Sequence, residues 1–325
     1  MQIRRVGPAL VAAVLISCAG SAPPPPAPVA ASPAEPRTAA APATPAAPTA
    51  ERIAFWEDLH ARGDAPPPGA DLAALTRELI ELLGSPDPDV RDRIAYEVLA
   101  AWIKKPGLLP PAVLRELRES LLARLRERPA AVGDDTVYGR SFSALVLAEV
   151  ARREIASPSM TDAELGAMVD AARAYAAAET DLRGRDDERG WAHAAAHTAD
   201  WLKLLARNPR LGRARGQLVL DAILDLTVRR HGFVLHDGED GRLAQPVLEL
   251  LRHGHVDRAM FAAFVDKLLA PLRVQLGATW DGGLYAAQRN ARNLAFTLFV
   301  QLSLEEKPAP AITQALAALT AAMKG

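Results

Sequence analysis

Apolar positions recur with helical spacing along most of the chain from residue 51 onward. In residues 71–83 the pattern is that of a buried stripe with three-and-four spacing, formed by Leu72, Leu75, Leu79, Leu82 and Leu83. The nearest approach to a strand, Phe233-Val234-Leu235, is only three residues long. The pattern therefore predicts an all-α fold.

Capping and proline signals predict where several helices begin. Asp71 is suited to an N-cap, Thr161 with Glu164 forms a Thr-x-x-Glu capping box, and Pro110 and Pro111 fit a first helical turn. Helices are expected at 71–83 and 87–104, from 110 onward, and near 138–156, 161–180, 189–206, 211–231, 241–253, 257–273, 286–305 and 309–323.

The predicted helices group in consecutive pairs that begin near residues 71, 110, 161, 211 and 257. The intervals between these starts are irregular but close to the period of HEAT and armadillo repeats, roughly 40–47 residues. The segment from Ser85 to Arg91 resembles the turn inside a HEAT repeat. We therefore expect an α–α superhelix of antiparallel helix pairs with degenerate HEAT/armadillo-like repeats, and a closed helical toroid is the competing arrangement.

The composition of the 325-residue chain is typical of a packed globular protein. Hydrophobic residues make up 50% and charged residues 24%. Lys plus Arg total 38 against 39 Asp plus Glu, so the net charge of −1 argues against a nucleic-acid partner. Aromatic residues are few, at 5%. We expect the core to be mainly Leu, Ala and Val, with Trp201, Trp280 and Phe296 inside it.

The N-terminus predicts a bacterial lipoprotein. Arg4 and Arg5 precede an uncharged, mostly apolar run, Val6–Ile16, which is shorter than the ~20 residues of a membrane-spanning helix but suits a signal peptide. Leu15-Ile16-Ser17-Cys18 resembles a lipobox, whose cysteine is lipidated after cleavage. Ordinary secretion with an unmodified Cys18 is the alternative. Cys18 is the one cysteine of the chain, which excludes an intramolecular disulfide and a Cys-cluster zinc site.

The composition changes after the cysteine. Ala and Pro supply 23 of the 32 residues from 19 to 50, which predicts a disordered, extended tether. The expected organisation is a signal peptide (1–17), a lipidated Cys18 with its linker (18–50) and a helical domain (51–325). The expected location is the cell envelope, on the periplasmic side of the outer membrane in a Gram-negative host, with the membrane as a partner through Cys18.

Two histidines carry the clearest chemical signal. On a continuous helix, His193 and His197 would lie at i and i+4, the spacing with which a helix chelates one divalent metal ion, and Asp200 would share their stripe. Ala194 stands where a zincin motif needs its general-base Glu. Histidines packed structurally between helices are the alternative.

Charged segments precede and follow this stretch. Loops at equivalent positions in a stack of helix pairs emerge on one edge, so we expect 179–184 and a charged loop at 239–242 to converge. Arg183 and Arg242 are the expected partners of Asp181, Glu239 or Asp240. The candidate polar or ligand cluster comprises Glu179, Asp181, Arg183, Trp191, His193, His197, Asp200, Glu239, Asp240 and Arg242.

The chain also resembles a known family. The block from Gly190 to Asp200, preceded by Glu179-x-Asp181-Leu182-Arg183-Gly184, is similar to the signature of the bacterial domain of unknown function 2785. Other similar segments, in the same order, are 84–91, Arg140-Ser141-Phe142-Ser143, 238–244 and Asn290-x-x-Asn293. The resemblance spans most of 70–305 and implies an all-helical fold, but it implies no activity.

Two functions are consistent with the sequence. The first is a binding or scaffolding module that recognises a protein or small molecule on a concave helical face. The alternative is a metal-dependent hydrolase that uses His193 and His197 with a divalent metal. No complete catalytic set is visible, so the catalytic residues are unknown and the first hypothesis is favoured.

Overall fold

The computed structural model describes residues 49–127, 132–306 and 308–324. The predicted signal peptide, Cys18 and residues 19–48 of the tether lie outside these ranges. The described residues form twelve α-helices. They run over Ala50–Ala61 (α1), Leu72–Leu82 (α2), Glu97–Lys104 (α3), Pro111–Arg124 (α4), Thr136–Ala156 (α5), Asp162–Ala178 (α6), Ala194–Ala206 (α7), Gly212–Val228 (α8), Glu239–Arg252 (α9), Arg258–Leu269 (α10), Gly282–Ser303 (α11) and Pro310–Lys324 (α12).

The prediction of an all-α fold is confirmed, and so are its capping signals. The Asp71 carboxylate accepts hydrogen bonds from the backbone N–H groups of Ala73 and Ala74. Both halves of the Thr161–Glu164 capping box are present at the start of α6. Helix α4 begins at Pro111, where the missing N–H costs no hydrogen bond.

Several boundaries differ from the predictions. Helix α1 lies N-terminal to the first predicted helix and is held by the buried side chains of Trp56 and Leu59. The expected helix at 87–104 is π-helical over Asp89–Tyr96 before α3 begins. The expected helix at 257–273 ends at Leu269 and continues as a short 3-10 helix, Ala270–Arg273.

A small hairpin replaces the first turn of the helix expected at 189–206. Strand β1 (Arg185–Asp186) pairs antiparallel with β2 (Gly190–Trp191), with Arg185 opposite Trp191. Gly190 has a positive φ of 72°, a conformation that costs glycine little. The periodicity analysis missed the hairpin because its strands are only two residues long.

Helices that are two apart in sequence pack against each other. Helices α5, α7, α9 and α11 form one layer, and α6, α8, α10 and α12 form the other, with contacts between consecutive helices joining the layers. No extensive contact in the described part of the chain joins α11 or α12 to α1 or α2. This packing agrees with the expected superhelix and favours it over the toroid, while the HEAT/armadillo character of the repeats stays a prediction.

The core runs between the layers, and one expectation about it is wrong. Trp201 is completely buried as expected, but Trp280 is 70% exposed and Phe296 is 52% exposed. Phe296 lies on α11, the last helix of its layer, so no further helix in the described ranges covers its outer face. Periodicity identifies an apolar position but not whether another helix packs against it.

Candidate functional site

The first charged segment, 179–184, is fixed beside the N-terminal part of α5. Arg140 of α5 donates from Nε to Glu179 Oε2 (2.7 Å) and from Nη2 to Glu179 Oε1 (3.1 Å). Both side chains are almost completely buried. Glu179 also accepts the backbone N–H groups of Thr180 and Asp181. This bidentate pair fixes the start of the 179–184 segment against the helix.

Asp181 and Arg183 form a second contact in the same segment. Arg183 Nη1 lies 3.2 Å from Asp181 Oδ2, and the carboxylate is buried. The backbone N–H of Gly133 also donates to Asp181 (2.9 Å), and Arg183 donates to the carbonyl of Asp134 (3.0 Å). The expected pairing of Arg183 with Asp181 is therefore present, and it extends to the loop before α5.

His197, in the first turn of α7, is bonded to Ser141. Its Nδ1 lies 2.8 Å from Ser141 Oγ, and the hydroxyl makes a short bond to the carbonyl of Ala192. A hydroxyl has one hydrogen, which Ser141 donates to that carbonyl, so His197 Nδ1 carries its own hydrogen and donates it to Oγ. Nε2 is then the unprotonated nitrogen of the neutral ring.

Burial keeps His197 neutral. Desolvation lowers its pKa well below the ordinary value of 6.5, and the charges of His193, Arg242 and Arg91 act in the same direction. The ring packs edge-on against Phe142, at a centroid separation of 4.7 Å. His197 is therefore a neutral, packed side chain.

His193 does not occupy the position predicted for it. It is the N-cap of α7 with a left-handed backbone (φ 51°) instead of a residue inside the helix. The two histidine rings still lie 5.9 Å apart. Trp191 stacks on His193 at 4.5 Å, and His193 Nε2 lies 3.3 Å from Glu239 Oε1. Both His193 and Glu239 are buried.

The segment at 239–242 belongs to the first turns of α9, which corrects the expectation of a loop. Arg242 pairs with Asp200, which also binds Lys203 at 2.9 Å, while Asp240 accepts the hydroxyl of Thr297. Arg242 therefore pairs with Asp200, the carboxylate expected beside the two histidines, and not with Glu239 or Asp240.

The residue two positions before the second charged segment lies against the first segment, which agrees with the expected convergence. Asp237 lies against Gly184, where a Cβ atom would collide with the carboxylate. Its Oδ2 also lies 3.3 Å from the backbone N of Arg185. The N–H of His193 donates to the carbonyl of Arg183 (3.1 Å). The 179–184 segment, the hairpin and the starts of α7 and α9 are thus linked by direct contacts, whereas His193, His197 and Asp200 do not share one helical stripe because His193 caps α7.

Three residues outside the predicted cluster hold this edge together, and all three lie in segments that resemble the family. Arg140 stands in a largely apolar stretch of the sequence, where a buried cation needs a partner, and this is the signal that points to it. Arg91 is completely buried, donates to the carbonyls of Ser85 (3.0 Å) and Arg189 (2.8 Å), and packs on the Tyr138 ring.

Asn290 is the third of these residues. Its side chain accepts from Leu235 N (2.8 Å) and donates to the carbonyl of Phe233 (2.9 Å). The segment that looked most like a strand is thus an extended connection held by an amide. Nothing in its hydrophobic pattern indicated this partner.

The geometry does not assemble three metal donors. Within the described ranges, no group of three or more His, Cys, Asp or Glu side chains is placed to hold a metal ion. His193 faces Glu239, and one nitrogen of His197 is committed to Ser141. Metal binding by His193 and His197 stays a prediction.

Comparison with known families agrees with the resemblance seen in the sequence. Residues 122–300, more than half of the chain, match the family described as "Protein of unknown function (DUF2785)". The chain belongs to this family. The match includes the 140–143, 179–200, 238–244 and 290–293 segments, whereas the 84–91 turn lies before it. No curated protein matches the chain, and no solved structure does.

No helix in the described part of the chain has the length and apolar character needed to cross a bilayer.

The Arg140–Glu179 pair predicts a large loss of stability when it is broken. Arg140→Ala leaves Glu179 buried without its counter-charge, so we expect the free energy of unfolding to fall by about 3–5 kcal/mol in urea denaturation. Adding Glu179→Gln to that variant should recover part of the loss, because it removes the buried charge. The control is Arg185→Ala, whose partner Asp187 is fully exposed, and a change within about 0.5 kcal/mol is expected there. Equal losses in Arg140→Ala and Arg185→Ala would contradict this assignment.

The environment of His197 predicts its protonation behaviour. The unfolded chain takes up a proton at this ring below about pH 6.5 while the folded state does not, so its contribution to stability falls as the pH drops below 6.5. Nitrogen NMR of the folded protein should show a neutral ring with the hydrogen on Nδ1 at pH 5.5. A ring that becomes protonated between pH 7 and 6 would disprove the assignment. In His197→Gln, the fall in stability between pH 7 and 5.5 should be smaller.

Proposed function

We propose that this protein is a binding module of the cell envelope, anchored through a lipidated Cys18, that docks a helix of a partner protein on the exposed face of α11. The Ala/Pro-rich segment would act as the spacer between the membrane and the folded domain. The helical pattern of the sequence favours a binding module with a concave face. The outer face of α11 now provides more direct support.

The observation that carries the proposal is an uncovered apolar stripe. Phe296, Phe299, Val300 and Leu304 lie at helical spacing, and their exposed fractions are 52, 36, 50 and 72%. Four large apolar side chains on one helical face are unusual for a surface in contact with water, whereas single ones are common. A face of this kind is typical of a protein interaction site.

The position of α11 favours a helix as the occupant. In the same layer, α7 packs on α9 and α9 packs on α11, so each helix is covered by the helix two positions later. Helix α11 has no such neighbour in the described ranges. A helix from a partner would continue the layer with the packing that the domain already uses.

The positive charge on the exposed face of α11 favours a partner helix with acidic residues. Arg292 lies one turn and Arg289 two turns before Phe296, on the same exposed side of α11. Within the described ranges, neither guanidinium has an ion-pair partner. An amphipathic helix with Asp or Glu at one end and an apolar stripe at the other would match this face.

The contacts of the polar network support a structural role for its side chains more than a catalytic one. Glu179, Asp181 and His197 each bond groups from other parts of the chain. These bonds hold α5, the hairpin and α7 together. A metal-dependent hydrolase would need a third metal donor beside His193 and His197, so the contacts of this cluster favour the binding hypothesis.

The anchor is tested with Cys18→Ser in the full chain. Because stable anchoring requires more than one acyl chain, loss of the lipidated cysteine should release the protein from the membrane fraction or leave an uncleaved precursor. The measurement is membrane fractionation with intact-mass analysis. Equal membrane association of correctly cleaved wild type and Cys18→Ser would exclude lipidation.

The docking face is tested by photo-crosslinking in cells. A photoreactive residue at position 299 should crosslink to one partner protein, through a helical segment that contains Asp or Glu. The double change Phe296→Ser/Val300→Ser should weaken binding about tenfold or more, because apolar anchors carry much of the affinity of an interface. Stability should change little, since both side chains are exposed.

The matched control is Val274→Ser/Leu276→Ser, which alters two apolar residues of similar exposure, 43 and 44%, in the connection that precedes α11. It should leave the crosslink unchanged. A crosslink to a second copy of this chain or to lipid, or no crosslink, would contradict the proposal.

A further inference from the structure

A cavity of about 150 Å³ lies beside the C-terminal half of α5, between that helix, α4 and the connection that leads into α6. Glu154 lines it, whereas Ser141 of the polar network lies thirteen residues earlier on the same helix. At 1.5 Å per residue, the two positions are about 20 Å apart along α5. The cavity is therefore separate from the polar network and from the exposed face of α11.

Part of the wall is apolar. Leu114, Val150 and Met160 contribute to it, and Val150 is buried. A cavity of about 150 Å³ accepts a group of the size of benzene. One ring or a short branched chain is thus the largest apolar group that fits.

The two carboxylates of the cavity are already compensated. Glu154 Oε1 accepts from Arg210 (3.0 Å), and its Oε2 accepts the backbone N–H groups of Ser159 (2.8 Å) and Met160 (3.1 Å). Glu164 accepts from Arg118 (2.6 Å). Neither carboxylate leaves a negative charge that would neutralise the other arginines of the lining.

Two guanidinium groups of the lining remain without a counter-charge. Arg115 has no ion-pair or hydrogen-bond partner among the residues that the structure describes. Within the described ranges, Arg153 donates only to neutral carbonyls, those of Ile103 (2.7 Å) and Lys105 (3.2 Å), through a single nitrogen. The cavity therefore combines an apolar wall with an excess of positive charge.

We infer that this cavity binds a small monocarboxylate whose apolar body is about one ring in size, with its carboxylate on Arg115 and Arg153. Arginine presents paired N–H donors that match the two oxygens of a carboxylate. The apolar body would lie against Leu114, Val150 and Met160. The inference is independent of the proposed function, since it uses no residue of α11 or of the N-terminal segment.

The test uses benzoate as the probe on the full chain, followed by methyl NMR of Met160 and Leu114. Benzoate should shift these signals and bind at least tenfold more tightly than benzamide, its neutral counterpart, and than acetate, which lacks the ring. Equal binding of benzoate and benzamide would exclude recognition of the charge. Absence of shifts at Met160 and Leu114 would exclude the cavity.

Arg115→Gln tests the residue assignment. Its side chain is exposed and unpaired within the described ranges, so the variant should fold normally while benzoate binding weakens at least fivefold. Arg126→Gln is the matched control, because Arg126 is another exposed, unpaired arginine just beyond the far end of α4, and binding should not change. Unaltered benzoate affinity in Arg115→Gln, or an equal loss in Arg126→Gln, would overturn the inference.

Discussion

The bidentate bond between Arg140 and Glu179 is the contact on which the polar edge of the domain depends. A charge removed from water is tolerated only with a counter-charge and additional hydrogen bonds, and here the partners lie 39 residues apart. The pair fixes the end of α6 to the start of α5. The hairpin and α7 follow directly from the segment that it fixes.

Close backbone contacts complete this arrangement. Gly184 lies so near the Asp237 carboxylate that a Cβ atom there would collide with it unless Asp237 moved, and His193 takes a left-handed conformation before α7 begins. Arg91 connects the turn before the π-helical segment to the hairpin, and Asn290 fixes the connection before α9. The segments that resemble the family thus form one continuous structural unit, although they are far apart in sequence.

The two ends of the α5–α11 layer differ in chemistry. Around α5 and α7, the polar side chains are buried and bonded to one another. At α11, large apolar side chains and two unpaired arginines face outward, among the residues that the structure describes. A stable, internally bonded edge and an uncovered outer face are consistent with a domain whose function is to bind.

The helical periodicity and the capping residues Asp71 and Thr161 determined the fold class and many helix starts, because these signals depend on neighbours within one or two turns. The sequence also placed the two charged segments at one edge, since consecutive helix pairs repeat the same geometry. It could not determine that His193 caps a helix, that Arg140 pairs with Glu179, or that Phe296 faces outward. Those features depend on which distant segment packs against each residue, and only the tertiary structure decides that.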